Sequence, residues 1–279
     1  MPHDDRAVYR AAIELAYDAG RLLRERAGRP RQVEFKGEID LVTEADKAAE
    51  RLIADGIAAR FPGHALVGEE GTTTGVAVAD AEWVWVVDPL DGTTNFTHGY
   101  PHFATSILVM RRGEMHAAAV YNPMADELFA AEAGTGAWLN GRPLRVSTTV
   151  SLQTGLFGTG FSYRHDLRNR QHLVWEAVQR WSRGVRREGA AALGMCYVAA
   201  GRLDGFWERP INAWDIGAGA LLIREAGGTV TALEGGPFDV FAGEVTASNG
   251  LVHEELLATI VGSLAAGDAA LAESPGPTP

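Results

Sequence analysis

Two carboxylates three residues apart, Asp88 and Asp91, lie in Trp85-Val86-Val87-Asp88-Pro89-Leu90-Asp91-Gly92-Thr93-Thr94-Asn95-Phe96, where an apolar strand ends in a proline turn. Acids about 4 Å apart repel by about 4 kcal/mol at an effective dielectric near 20, so a fold keeps them together only with compensation. A hard divalent cation supplies it. Magnesium takes oxygen ligands and typically sits on one or two carboxylates plus substrate phosphate. The turn runs on through Gly92 and the hydroxyls of Thr93 and Thr94, so N–H and O–H donors follow the acids and an anion can meet the metal. The chemistry this points to is that of a phosphate ester. The bland alternative is a solvated turn in which Asp88 and Asp91 cap Pro89 and Gly92. An isolated D-x-x-D would read that way, whereas here eight ordered residues serve one task.

Further acids follow, and of these Glu69 and Glu70 stand where they can converge with Asp88. Glu69-Glu70-Gly71 follows the apolar run Ala65-Leu66-Val67, and Asp215 follows Trp214 at a helix start. Each has a plainer reading: Glu70 as a solvated loop acid, Asp215 as a helix N-cap. Asp46 stands three residues after Thr43, a capping-box spacing.

The elements that must position these groups show in the hydrophobic pattern. Val8, Ala12, Leu15, Ala16, Ala19, Leu22 and Leu23 recur at helical spacing between Ala7 and Arg26, with Gly28 and Pro30 as the stop. Val33–Phe35 reads as a short strand, and a second helix is expected from about Thr43. Ala65–Val67 and Trp83–Val87 read as buried strands delivering acids at their carboxyl ends. Segments 103–110, 115–121, 127–131 and 137–139, broken by Arg112-Gly113, Asn122-Pro123 and Gly134, predict an antiparallel meander. Then come a strand at 156–159, helices at 167–181 and 190–200, a strand at 205–207, a helix at 216–226, strands at 229–231 and 244–247, and a helix at 251–264. The expected organisation is a helix and antiparallel-sheet domain over residues 1–147, an α/β domain over 148–266, and a disordered Ala, Gly, Ser and Pro tail over 267–279.

Composition narrows the function classes. The 279 residues carry a net charge of −11, which weighs against a phosphate-backbone ligand such as nucleic acid and makes local cations necessary for an anionic substrate. The single cysteine, Cys196, excludes a disulfide framework and a cysteine zinc site and reads as a buried thiol. The eight histidines show no zinc spacing. With no membrane-length apolar run and no leader pattern at the start, the expected location is the cytoplasm.

Taken together, Lys36-Gly37, Asp40-Leu41-Val42-Thr43-Glu44-Ala45-Asp46, Gly68-Glu69-Glu70, Asp88-Pro89-Leu90-Asp91-Gly92-Thr93-Thr94-Asn95-Phe96, Trp214-Asp215 and Glu225-Ala226-Gly227-Gly228 resemble the inositol monophosphatase family. The resemblance spans nearly the whole chain except its tail. It implies a layered α/β architecture, the five-layer αβαβα sandwich of the sugar phosphatases, and a homodimer. It also implies two to three Mg2+ ions: one on Glu69, Asp88 and the Leu90 carbonyl, a second on Asp88, Asp91 and Asp215, and a looser third on Glu69, with Li+ inhibitory. Thr93 and Asp46, with Glu69, would then activate water for in-line attack without a phosphoenzyme. Amides of Gly92, Thr93 and Thr94 would bind phosphate oxygens.

On the substrate side the resemblance places Asp91, Glu208 and the backbone of Gly189, Ala190 and Ala191. Lys36 is a further position near the third ion, with a surface lysine as the plain alternative. Asn212 stands where animal members carry histidine and Gly194 where many bacterial members carry aspartate, so the alcohol is left open. Inositol 1-phosphate or a related small phosphorylated polyol leads. Histidinol phosphate, fructose 1,6-bisphosphate, adenosine 3',5'-bisphosphate and NADP are substrates of relatives. A different class of reading is a regulatory binding protein, since a bacterial relative is associated with the transcription machinery. The aspartyl-phosphate phosphatases require a D-x-D, and this chain has D-x-x-D.

Overall fold

The computed structural model describes residues 5–28, 33–35, 41–162 and 165–273. Lys36 and residues 274–279 lie outside them. Helix α1 (Asp5–Arg26) buries the stripe expected of it, Val8, Ala12, Leu15, Ala16, Ala19 and Leu23, together with Ala11 and Gly20. Strands β1 (Val33–Phe35) and β2 (Leu41–Thr43) pair antiparallel and lead into α2 (Glu44–Arg60).

A seven-stranded sheet follows in sequence order: β3 (Ala65–Gly68), β4 (Trp83–Asp91), β5 (Ala104–Arg111), β6 (Glu114–Asn122), β7 (Glu127–Glu132), β8 (Gly136–Leu139) and β9 (Arg142–Pro143). The first pair is parallel and the rest antiparallel. Short helix α3 (Thr93–His98) leaves the end of β4. The second sheet has the order β11 (Gly184–Arg186), β10 (Leu156–Thr159), β12 (Gly205–Glu208), β14 (Val245–Ser248), β13 (Thr229–Thr231). Its three first-named strands run parallel.

Strand alternation decides the layers. In β5, Ile107 and Val109 pack with α1 and α2, whereas Leu108 and Met110 pack with α5 (Ala191–Ala199) and α6 (Ala213–Glu225). In β12, Phe206 faces that same middle helix pair and Trp207 faces α4 (His165–Trp181) and α7 (His253–Glu273) on the far side. Both sheets are therefore covered on both faces, which explains strands that read as continuous apolar runs rather than alternating ones. The order of layers is α1/α2, first sheet, α5/α6, second sheet, α4/α7, the expected αβαβα sandwich.

Three expectations are corrected. The apolar run does not stop in a turn at Asp88: β4 continues to Asp91, with a register shift against β5 between Asp88 and Asp91. Helix α6 begins at Ala213 with Asn212 as its cap, so Asp215 lies inside the first turn instead of at the N-cap. Helix α7 extends past residue 264 to Glu273, so the tail expected from 267 is helical up to that point. Gly267 is buried against the Leu173 side chain, and the alanines around it are strong helix formers. Two short edge strands, β9 and β11, lacked the length and apolar content for a sequence signal.

Candidate active site

The register shift in β4 is the local event that builds the site. Side chains three apart on a regular strand point to opposite faces. Here Asp88 pairs with Ser106 and Asp91 with Ala104, so three steps on β4 match two on β5, and both acids face the same way. The bulge is held by its own hydrogen bonds: Leu90 N–H donates to Asp88 Oδ1 at 2.8 Å, and Thr105 Oγ1 donates to the Pro89 carbonyl at 3.0 Å. Burial of neighbouring Trp85, Val86, Val87, Leu90 and Ile107, each contributing roughly 1.5–3 kcal/mol, outweighs the repulsion of about 4 kcal/mol between two close acids.

Ligand oxygens of Asp88, Asp91 and Asp215 lie within 4.8 Å of one another. Burial first, then Glu69, Asp91 and Asp215, pushes the Asp88 carboxyl well above its usual range, and Glu69 hydrogen-bonds to it. Burial and Asp215 push Asp91 up as well, against the pull of two amides. Those amides are Ala191 N–H, 3.2 Å from Asp91 Oδ1, and Ala192 N–H, 2.8 Å from Oδ2, at the start of α5. Asp215 Oδ2 accepts Asn212 N–H at 2.9 Å. Buried, mutually repelling carboxylates with an oxygen-only donor set fit a hard divalent cation rather than zinc or copper.

Beside the acids, Thr93 Oγ1 is 3.0 Å from Asp46 Oδ1 and 3.1 Å from the Leu90 carbonyl. Asp46 is 1% exposed, so the α2 carboxylate is aimed at this hydroxyl from the interior. Gly92 joins β4 to α3 with φ +92°, and a Cβ there would stand 3.1 Å from the His102 carbonyl and 3.2 Å from that of Gly189. Only glycine fits both that backbone region and that space.

Asp88, Asp91, Asp215, Gly92 and Thr93 line one cavity of about 420 Å3, with Asp46 behind Thr93. Its wall includes Glu69, Asp88, Leu90, Asp91, Gly92, Thr93 and Thr94 from the first half. The second half contributes Gly189, Ala190, Ala191, Gly194, Glu208, Asn212 and Asp215. Burial, then Asp215, raises the Glu208 carboxyl to about 8, with Arg187 pulling the other way. The ring of Phe206 fills the space a side chain at Gly194 would need, with Cε2 2.8 Å from a Cβ built there. Among the expected positions, Glu70 and Asp46 are absent from the cavity wall, Asp46 reaching it only through Thr93, and Lys36 is outside the described residues.

Sequence reasoning missed four contributors. Glu50 is fully buried, and its Oε2 and Oε1 accept Glu70 N–H and Thr72 N–H at 2.8 Å each, gripping the loop that carries Glu69. Its signal was available: an acid four residues after Asp46 on the same apolar helix face. Asn95 Nδ2 donates to the carbonyls of His102 and Glu188 at 2.7 and 2.8 Å, tying α3 to the second half. Arg186 and Arg187 are exposed on the cavity wall, and the pair of cations just before Gly189 was legible in the chain.

Comparison with known proteins gives a consistent answer. The family model described as the inositol monophosphatase family matches residues 4–265. An inositol-1-monophosphatase of Rhizobium meliloti is 45% identical over 244 residues, covering 87% of this chain and 89% of that protein. A Nus factor SuhB of Pseudomonas aeruginosa is 45% identical over 225 residues, covering 79% and 83%. The structure of inositol monophosphatase from Anabaena superposes with a TM-score of 0.82 at 37% identity, covering 94% of this chain and 98% of that one. The bulged D-x-x-D strand, the acids gathered around it and this likeness along the chain agree: the protein belongs to the inositol monophosphatase family, a family of metal-dependent phosphatases.

Proposed function

We propose that this chain is a Mg2+-dependent phosphomonoesterase whose substrate is inositol 1-phosphate or a closely related small phosphorylated polyol. The observation that carries the proposal is the bulge that turns Asp88 and Asp91 to one face beside Asp215, with the Thr93–Asp46 pair next to it. Glu69, Asp88, the Leu90 carbonyl, Asp91 and Asp215 would hold the ions. Magnesium bound there supplies Lewis acidity toward the ester and its attacking water.

The chain's own residues do the rest. Asp46 accepts the Thr93 hydroxyl proton, which leaves the Thr93 oxygen as acceptor for a proton of the attacking water and fixes the direction of attack. Amides of Gly92, Thr93 and Thr94 orient the phosphate oxygens. Glu208, whose carboxyl is raised by burial and by Asp215, faces the cavity and can hydrogen-bond a substrate hydroxyl. Backbone at Gly189 and Ala190 lines the polyol, whereas the Ala191 amide is committed to Asp91. In this reading residues 1–147 supply most metal ligands and residues 148–266 complete the site.

The protein is proposed to act as a cytoplasmic homodimer inhibited by Li+. Among the described residues no helix is long and apolar enough to cross a membrane. The test is phosphate release from myo-inositol 1-phosphate by purified protein, in magnesium and in chelator, with histidinol phosphate, fructose 1,6-bisphosphate, adenosine 3',5'-bisphosphate and NADP alongside. Magnesium-dependent turnover, fastest on the inositol ester, is expected; silence on all five refutes the proposal. A regulatory binding role is the second reading, favoured by the 45% identity to a protein named as a Nus factor. Stoichiometric retention of RNA polymerase from native lysate supports that role, and its absence removes it.

A further inference from the structure

The antiparallel register of β4 and β5 sets Ser106 directly opposite Asp88. Directly opposite residues on neighbouring strands share a face, with Cβ atoms roughly 4.5–5.5 Å apart. On β5 that face carries Ala104, Leu108 and Met110 and is covered by α5 and α6, and Ser106 is the polar member of the row. Its side chain is wholly buried, and its Oγ donates to the Trp214 carbonyl at 3.0 Å.

A buried hydroxyl needs an acceptor, and any nearby carbonyl meets that need. The one that Ser106 meets lies in the peptide that precedes Asp215. A carbonyl at the start of an α-helix already receives the N–H four residues on, so the bond from Ser106 is an additional one, from the sheet to the first turn of α6. Glycines in the same run bring α6 this close. A Cβ at Gly217 would stand 2.7 Å from Leu108 Cδ2, two residues along β5 from Ser106, and one at Gly219 would overlap the Met195 side chain of α5. Within the turn, Asn212 N–H holds Asp215 Oδ2 at 2.9 Å. Contacts therefore run from Asp88 to its neighbour Ser106, on to the Trp214 carbonyl, and so to Asp215, whose ligand oxygen comes within 4.8 Å of that of Asp88.

We propose that Ser106 is a positioning residue for the metal site: its hydroxyl seats the first turn of α6 so that Asp215 closes on a cation held by Asp88 from β4. The proposal rests on the metal-dependent phosphatase reading of this cavity and adds the group that sets the gap between ligands from the two halves of the chain. Ser106 is absent from the cavity wall, so it acts through Asp215 and not on the substrate.

The experiment titrates magnesium into metal-stripped protein by calorimetry, for wild type, Ser106→Ala, Ser106→Thr, Asp215→Asn and the Ser106→Ala, Asp215→Asn double variant. Without the bond, repulsion between Asp88 and Asp215 pushes the turn away and the ion must draw it back. Ser106→Ala is therefore expected to weaken magnesium binding by the worth of one neutral hydrogen bond, about 2- to 12-fold. Ser106→Thr keeps the hydroxyl on a strand that suits threonine and is expected to restore the affinity. In the Asp215→Asn background, adding Ser106→Ala should leave the magnesium binding that remains on Glu69 and Asp88 unchanged, because the two residues act as one unit. Wild-type affinity in Ser106→Ala overturns the proposal. So does an equal weakening in the Asp215→Asn background, which marks a general loosening of the strand. A wild type that takes up no magnesium refutes the metal reading itself, which keeps the two failures distinct.

Discussion

Replacing Glu50 tests whether one buried carboxylate holds the wall of the metal site. Helix α2 presents Asp46 and Glu50 one turn apart, 1% and 0% exposed. Glu50 accepts two backbone N–H bonds of 2.8 Å, from Glu70 and Thr72, and these bracket the loop beyond Glu69. Hydrogen bonds to a charged acceptor contribute about 1.5–3 kcal/mol each. The loop is partly exposed and water recovers some of this, so Glu50→Ala is expected to cost about 2–4 kcal/mol. Glu50→Gln keeps the volume and one acceptor but turns an amide donor toward the other N–H, for about 1–2 kcal/mol. Urea unfolding in chelator measures both. With the loop loosened, magnesium affinity measured by calorimetry should weaken about tenfold, equivalent to 1.4 kcal/mol of lost preorganisation. Amide exchange at Glu70 and Thr72 should accelerate. Gly68→Ala is expected to behave alike, because its Cβ would overlap the Glu50 carboxylate. Glu50→Gln within about 0.5 kcal/mol of wild type, with unchanged magnesium affinity, would mean that the loop is held otherwise and the reasoning is wrong.

Asp88→Asn should lower kcat/KM by at least about 10²-fold while leaving metal-free stability equal or higher, since it relieves a buried repulsion and keeps the bond from Leu90 N–H; near-normal turnover sinks the bridging role. Thr93→Val and Asp46→Asn should each reduce kcat about 10²–10⁴-fold with little change in KM, and the double variant should be no worse than the poorer single one; additive losses would show that they do not act as a unit. His253 predicts a pH dependence of stability. It is buried between Ser248 Oγ at 2.9 Å and Thr231 Oγ1 at 3.1 Å, and burial lowers its pKa. The unfolded chain then binds more protons than the native one between the lowered pKa and about 6.5, so stability rises with pH through that window and is complete above it. Urea midpoints from pH 5 to 7.5 should show a shallower slope in His253→Gln, and identical slopes would refute the assignment.

Periodicity made the layers legible where one face of an element is buried, as in α1, and where a strand is buried on both faces, as in β4 and β5. It placed Glu69 and Asp88 near one another because each follows an apolar strand, whereas Asp215 joined them only through the family resemblance. It did not show the bulge. A strand that continues through Pro89 looks like a turn in one dimension, and only pairing with Ala104 and Ser106 reveals that the chain goes on. Asp215 was misplaced on its helix for a similar reason: Ala213 and Trp214 carry no start signal, and the cap is an asparagine whose partner lies three residues ahead. Glu50 and Arg187 escaped because a lone acid on a helix and a basic pair in a loop acquire meaning only from what stands opposite them.

The acids that gather at the cavity also join the two halves of the chain. Asp91, at the end of β4, receives the first amides of α5, a helix that packs against α6 and between the two sheets. Asn95 reaches the Glu188 carbonyl, and Ser106 Oγ donates to the Trp214 carbonyl just before Asp215. Each tie sits within a few residues of a carboxylate that repels its neighbours. Apolar packing between the sheets therefore holds closed a seam that electrostatics would open. A cation that neutralises Asp88, Asp91 and Asp215 removes the opposing force at the seam itself, so metal binding and cohesion of the halves draw on one free energy. The cavity lies where the end of β4 meets the first turn of α6, which is where carboxylates as far apart in the chain as Asp88 and Asp215 face one space.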